Sequence, residues 1–299
     1  MAVSEKTLKL NLLDIRDNSV ILREVKTIIT LISPNFDFFY FDKAYNDIEE
    51  LFLGRYHGYR ECNTPYHDFR HTLMVLLAMA RLIHGASEQS NEFSDKQLNL
   101  GLISALMHDT GYIQSSEDVS GTGAKYTMTH IGRSIKFVQN YYSNSEYFAS
   151  DMKSFHDILS CTGKHTMIAD VEFENEQIVI LGKMLGTADL LAQMADRLYL
   201  EKLIFLYNEF DEGSVPGFDS EMDLYRKTVG FYNRTKERFR REFGGVNRYM
   251  SNHFKSRWNI DSNVYEESIE KNINYLKYIL KASQKDIYHS LRRNAISFQ

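Results

Sequence analysis

The sequence predicts an all-α protein, and three observations carry that expectation. Only three prolines occur in 299 residues, Pro34, Pro65 and Pro216, and each stands at an apparent junction. Between them run long stretches in which apolar residues recur at helical spacing. The chain is 43% hydrophobic and 13% aromatic, enough to fill a sizeable core. No internal repeat, low-complexity tract or interdomain linker interrupts it, so one compact multi-helix domain is expected over residues 1–299.

The elements follow in order. Residues 8–32 and 40–56 read as two amphipathic helices flanking Ser33-Pro34-Asn35. Thr64 reads as a helix N-cap with Pro65 at the first helical position. That start places His67 and His71 one turn apart on one face of a helix running to about Ala86. After the polar stretch 87–94, residues 95–109 form a strongly apolar helix that delivers His108 and Asp109 at its end, with Gly111 as its stop. Residues 115–127, with Gly121 and Gly123, are the most loop-like part of the chain. Helices resume over 128–142, 150–162, 175–210, 220–243 and 262–291, with Gly182 and Gly186 as bends in the third of these. The acidic stretch 172–177 reads as a solvated turn.

Charge and cysteine content narrow the function classes. A formal net charge of -5 argues against general nucleic-acid affinity, which needs a basic surface. Two cysteines, Cys62 and Cys161, imply no disulfide framework. No secretion signal is recognisable, and no apolar run reads as the roughly 20-residue span a membrane helix needs. A cytoplasmic protein without a membrane partner is therefore expected. The C-terminal helix from about Ser262 would pack on its own core or on a second copy, which leaves a homo-oligomer open.

The chemistry concentrates in five residues. His67 and His71 are followed by the adjacent pair His108-Asp109 and later by Asp189, inside Gly186-Thr187-Ala188-Asp189-Leu190. Imidazoles and carboxylates from separate helices are what a protein needs to hold divalent metal for phosphate chemistry. His108-Asp109 closes an apolar helix, where an unpaired buried carboxylate is costly; a metal or an ordinary salt bridge would compensate. Asp189 sits among small apolar neighbours, as a ligand, a cap or a buried hydrogen-bond partner. His57, His84, His253 and His289 read as packing or surface residues.

These motifs resemble a known family. Tyr66-His67-Asp68-Phe69-Arg70-His71, Ala105-Leu106-Met107-His108-Asp109 and Thr187-Ala188-Asp189-Leu190 keep the order of the HD metal-dependent phosphohydrolase superfamily. Within it the likeness is to the catalytic domain of class I cyclic-nucleotide phosphodiesterases, whose Tyr-His-Asn helix start is matched here apart from Asp68. Ile158-Leu159-Ser160-Cys161-Thr162, Asn208-Glu209-Phe210 and Val229-Gly230-Phe231 also resemble segments of that domain. The likeness runs over about 60–245, with residues 1–59 and 262–291 as flanking helices packed on that core. It implies that His71, His108, Asp109 and Asp189 bind one divalent cation, that Asp109 bridges to a second, and that His67 protonates the leaving oxygen. Zn, Mg, Mn or Fe would suit the two sites. Tyr66, Thr228 and Phe231 would face the substrate.

The departures are specific. Tyr112 stands where the family has a further histidine, and Tyr126-Thr127-Met128-Thr129 lacks the acidic residue expected before His130. His130 is a candidate ligand in its place, by likeness to HD-GYP phosphodiesterases, ahead of His156 and His165. Thr228 replaces the glutamine that reads a purine, and Ala192 an asparagine. Arg70 and Arg133 adjoin the candidate ligands as surface residues or phosphate contacts. The expected function is a metal-dependent phosphodiesterase acting on a cyclic nucleotide or related phosphodiester. An HD nucleotidase acting on phosphomonoesters, and an inactive HD module that binds a nucleotide, stay open.

Overall fold

Helix α4, Phe69–Ser87, is buried along its whole length from His71 to Ala86, and the remaining helices are arranged around it. A helix that is apolar on every side must be covered on every side. The computed structural model describes residues 4–163, 166–282 and 290–291. Twelve α-helices lie among them: α1 Glu5–Leu13, α2 Asn18–Ile32, α3 Phe39–Phe52, α4, α5 Asp95–Met107, α6 His130–Tyr141, α7 Met152–Ser160, α8 Glu176–Ala195, α9 Tyr199–Glu212, α10 Glu221–Arg241, α11 Tyr249–Trp258 and α12 Val264–Ala282. No β-strand occurs among the described residues; an isolated antiparallel bridge joins Tyr59 and Ser115. Helices α2, α5, α8 and α11 all pack on α4. Leu73, Leu76, Leu77, Leu82 and Ile83 are fully enclosed there, each contributing about 1.5–3 kcal/mol of burial.

The all-α expectation holds, and several boundaries move for local reasons. Residues 8–32 form two helices, because the Asp17 carboxylate accepts from Ser19 N at 2.8 Å and starts α2 afresh. Residues 175–210 also divide: Asp196 ends α8, and its carboxylate accepts from Leu198 N at 2.9 Å just before α9. Helix α4 starts later than Thr64-Pro65 predicts. Asp68 is the N-cap, accepting from His71 N at 2.7 Å, while the Thr64 hydroxyl donates to the His67 carbonyl at 2.9 Å. His67 therefore sits in the turn ahead of the helix that carries His71.

Helix α11 was not anticipated from the sequence; its signals are left-handed Gly244 and Gly245 before it and left-handed Asn259 as its stop. Gly182 and Gly186 lie within the unbroken α8. A Cβ on Gly182 would lie 2.7 Å from Cys161 Sγ, and one on Gly186 would lie 2.5 Å from the Cys161 carbonyl oxygen. They let the end of α7 press against α8. Helix α8 is also long and apolar enough to cross a membrane by composition, contrary to the expectation, yet 72% of that stretch is buried inside the protein. The stretch 172–177 is largely exposed, but its turn closes at Asn175, the N-cap of α8, and Glu176 and Gln177 already belong to that helix. Helix α12 is described to Ala282; His165 and His289 lie outside the described residues.

Candidate metal centre

Three elements deliver the ligand atoms. Helix α4 presents His71 in its first turn, the end of α5 presents His108 and Asp109, and the middle of α8 presents Asp189. The Nε2 of His71 lies 3.4 Å from Asp109 Oδ2 and 3.3 Å from Asp189 Oδ1. The Nε2 of His108 lies 3.1 Å from Asp109 Oδ2. One ligand atom each from His71, His108 and Asp109 falls within 4.8 Å of the others. The other Asp109 oxygen, Oδ1, faces His130 Nε2 at 4.0 Å. Asp109 thus turns one oxygen to each side.

Hydrogen bonds at the far edges fix which ring nitrogens point inward. His108 Nδ1 lies 2.9 Å from the Ala105 carbonyl, and His130 Nδ1 lies 2.7 Å from the Thr127 carbonyl. A carbonyl only accepts, so each Nδ1 carries the proton and each Nε2 is free to ligate. Inside the centre, His108 Nε2 and Asp109 Oδ2 are buried without a hydrogen-bond partner among the described residues. Such atoms cost free energy unless something else satisfies them. Two imidazoles and two carboxylates, two of their inward atoms orphaned, fit a divalent cation.

His67 stands beside this group and is held differently. Its Nδ1 lies 2.5 Å from Glu209 Oε2, while Glu209 Oε1 accepts from Tyr66 N at 2.6 Å. Glu209 is buried on α9, continuing the stripe of Leu203 and Leu206. The Tyr66 hydroxyl donates to Gln193 Oε1 at 3.0 Å. The role of Glu209 was not drawn from the sequence. Its signal was an acidic residue in register with that buried stripe.

Electrostatics follow the packing. Burial opposes charge on His108, but adjacent Asp109 outweighs it and raises its pKa to about 9. Burial pushes the Asp109 carboxyl up, and His108, His67 and His71 together hold it far below the ordinary carboxylate range. Asp189 is also lowered: burial raises it, and the hydrogen bond and charge of His71 overcome burial. Burial works against protonating His67, and Glu209 reverses that, so its pKa is raised. His130 is lowered because burial outweighs its more distant carboxylate, Asp109.

The structure brings together Tyr66, His67, His71, His108, Asp109, His130 and Asp189. Thr228 and Phe231 are placed otherwise. The Thr228 hydroxyl is buried on α10, donates to the Leu224 carbonyl at 2.8 Å and meets the Tyr199 side chain. Phe231 is half-buried and packs against the core. His156 belongs to a surface depression with Lys153, Asp157 and Asp170. The guanidinium of Arg133 donates to the Gly111 and Ile113 carbonyls at 2.6 and 3.0 Å, so it braces the backbone. Arg70 lines a narrow cleft with Tyr66, His71, Gln193 and Lys202. Compared with known proteins, the chain matches no family profile and no curated protein sequence.

Proposed function

We propose that the protein is a metal-dependent phosphohydrolase, acting on a phosphodiester such as a cyclic nucleotide. One observation carries the reading. Polar atoms of His71, His108 and Asp109 converge, with Asp189 of α8 against His71, and His108 Nε2 and Asp109 Oδ2 are buried without a hydrogen bond, while His67 stands alongside on the Glu209 carboxylate.

His71, His108, Asp109 and Asp189 would hold one divalent cation, and Asp109 Oδ1 with His130 would hold a second. Such cations, when bound, supply charge neutralisation for phosphoryl oxygens and a water made nucleophilic near neutral pH. The chain's own residues do the rest. Glu209 fixes the Nδ1–H tautomer and ring plane of His67 and stabilises its protonated form. His67 Nε2 then holds the proton that a leaving alkoxide requires. The backbone N–H of Tyr66 engages the second Glu209 oxygen and keeps that carboxylate from turning away. The imidazoles around Asp109 and Asp189 overcome burial and keep both carboxylates ionised through the neutral range.

The test is hydrolysis of bis(p-nitrophenyl) phosphate, p-nitrophenyl phosphate, cyclic mononucleotides and nucleoside phosphates, with Mn, Mg or Zn, by wild type and Asp109→Asn. The reading predicts metal-dependent diester cleavage that Asp109→Asn abolishes with helical content kept. Turnover confined to monoesters would reassign the protein as a nucleotidase. Binding with no turnover of any ester would leave only a nucleotide-binding module.

A further inference from the structure

Tyr112 lies flat against two of the imidazoles just described. Its ring is stacked on His67 at 4.3 Å between centroids and 13° between planes. It is stacked on His130 at 4.6 Å and 19°. The two imidazole centroids are themselves only 6.5 Å apart. Tyr112 thus makes flat contact with both imidazoles at once.

Each imidazole also has one edge tied down: His67 Nδ1 by Glu209 and His130 Nδ1 by the Thr127 carbonyl. An edge bond alone leaves the ring free to rock about that bond. A flat contact against its face removes the motion, and here one tyrosine ring serves both imidazoles. The platform itself is braced. Tyr112 is 2% exposed. The Ser134 hydroxyl accepts from Gly111 N at 2.9 Å and donates to the His108 carbonyl at 2.6 Å. Arg133 holds the carbonyls on either side of Tyr112, those of Gly111 and Ile113. Gly111 lets α6 approach, since a Cβ there would lie 1.9 Å from the His130 carbonyl oxygen. The turn carrying His108, Asp109 and Tyr112 is thus fastened to the helix carrying His130.

We propose that Tyr112 is a positioning residue: its ring, stacked on both imidazoles, sets the spacing between the proton-donating His67 and the cation-facing His130. This rests on the phosphohydrolase reading for its kinetic consequence, but not for its geometry. The ring, not the hydroxyl, is the working part. A misplaced acid penalises substrates whose leaving group needs a proton more than those whose leaving group does not.

The experiment uses the full chain as wild type, Tyr112→Phe and Tyr112→Leu, with two readouts. The first is the NMR position of the imidazole carbon-bound protons in histidine-labelled protein, since protons over an aromatic face are shifted upfield. Wild type and Tyr112→Phe should show both His67 and His130 shifted, and Tyr112→Leu should release both together. The second is kcat for a phenyl and a p-nitrophenyl phosphodiester. Tyr112→Leu should lose on the order of 10²-fold on the phenyl ester, much less on the p-nitrophenyl ester, with KM moved little, and Tyr112→Phe should restore both. The proposal is overturned if only one imidazole is shifted, if Phe is as damaging as Leu, or if both esters suffer equally. If wild type cleaves neither ester, the phosphohydrolase reading fails and the spectra alone decide for or against the shared ring contact. If Tyr112→Leu does not fold, wild type against Tyr112→Phe decides: both imidazoles shifted in each supports the proposal, and either one unshifted ends it.

Discussion

His71 and His84 sit on the same helix, both buried, and their surroundings give them opposite characters. Around His71 the neighbours are carboxylates, Asp109 and Asp189, on α5 and α8. Around His84 stand one carboxylate, Glu88 at 3.8 Å, the cation Arg257 and another imidazole. His253 of α11 meets it edge-on at 4.9 Å between centroids, fully enclosed, with both nitrogens unpartnered among the described residues. Arg81, also fully enclosed, spends its guanidinium on the Tyr265 hydroxyl and the Leu12 carbonyl, and Arg257 reaches Glu24. Burial lowers the His84 pKa, with Arg257 adding to it against Glu88. Burial lowers His253 further, reinforced by Arg81, His84 and Arg257. One end of α4 faces two carboxylates, and at the other the buried imidazoles are held against protonation. Burial of histidine is therefore uninformative by itself; the sign of the charges around it decides what it can do.

The largest effect that should separate the two ends comes from exchanging each histidine for an aromatic of similar size. His71→Phe should abolish both metal-dependent hydrolysis and cation binding, while His84→Phe should leave both in place, read by turnover and by calorimetric titration with Mn. Next in size is the acid. His67→Ala should lower kcat by on the order of 10²–10⁴-fold on an unactivated diester. Glu209→Gln should cost about 10–100-fold, as expected of a residue acting through another.

The two ends should also part in their pH dependence. In metal-free protein His108 has a folded pKa near 9, above the ordinary histidine value, because adjacent Asp109 outweighs burial. Its stabilising contribution is complete below about pH 6.5 and is lost as pH rises through 9. His253 has a folded pKa well below the ordinary value, so the unfolded chain takes up the proton first. Stability is kept above about pH 6.5 and drains as pH falls below it. Urea unfolding in a chelator should show both losses, and His253→Phe should flatten the acid side only.

Smaller again is the packing test. A Cβ on Gly85 would lie 1.8 Å from the Tyr249 carbonyl oxygen, so Gly85→Ala must push α11 off α4. The expected cost is about 1–3 kcal/mol, seen as a lower Tm with cation affinity kept. The smallest effect is Thr228→Val. Its hydroxyl is already given to Leu224, so KM should barely move.

How much of this was legible beforehand depended on the range of the interaction involved. Most helices announced themselves through spacing, and the cluster of His71, His108, Asp109 and Asp189 through residue types that are costly to bury alone. What escaped was set by local capping or by distant contacts. Asp17, Asp68 and Asp196 each redirect the backbone through one short hydrogen bond, which helical periodicity does not register. Glu209 reaches His67 across more than a hundred residues of chain, and the Tyr112 face depends on α6 returning to the His108 turn. Thr228 was placed by likeness of sequence, and its hydroxyl is turned instead to its own helix.

The most direct test is anomalous diffraction from crystals of the protein equilibrated with Mn. The account predicts a peak among His71 Nε2, His108 Nε2, Asp109 Oδ2 and Asp189 Oδ1, absent in Asp109→Asn crystals, and no peak beside His84 and His253. An empty centre at full Mn exposure, or the same peak in Asp109→Asn, would contradict it.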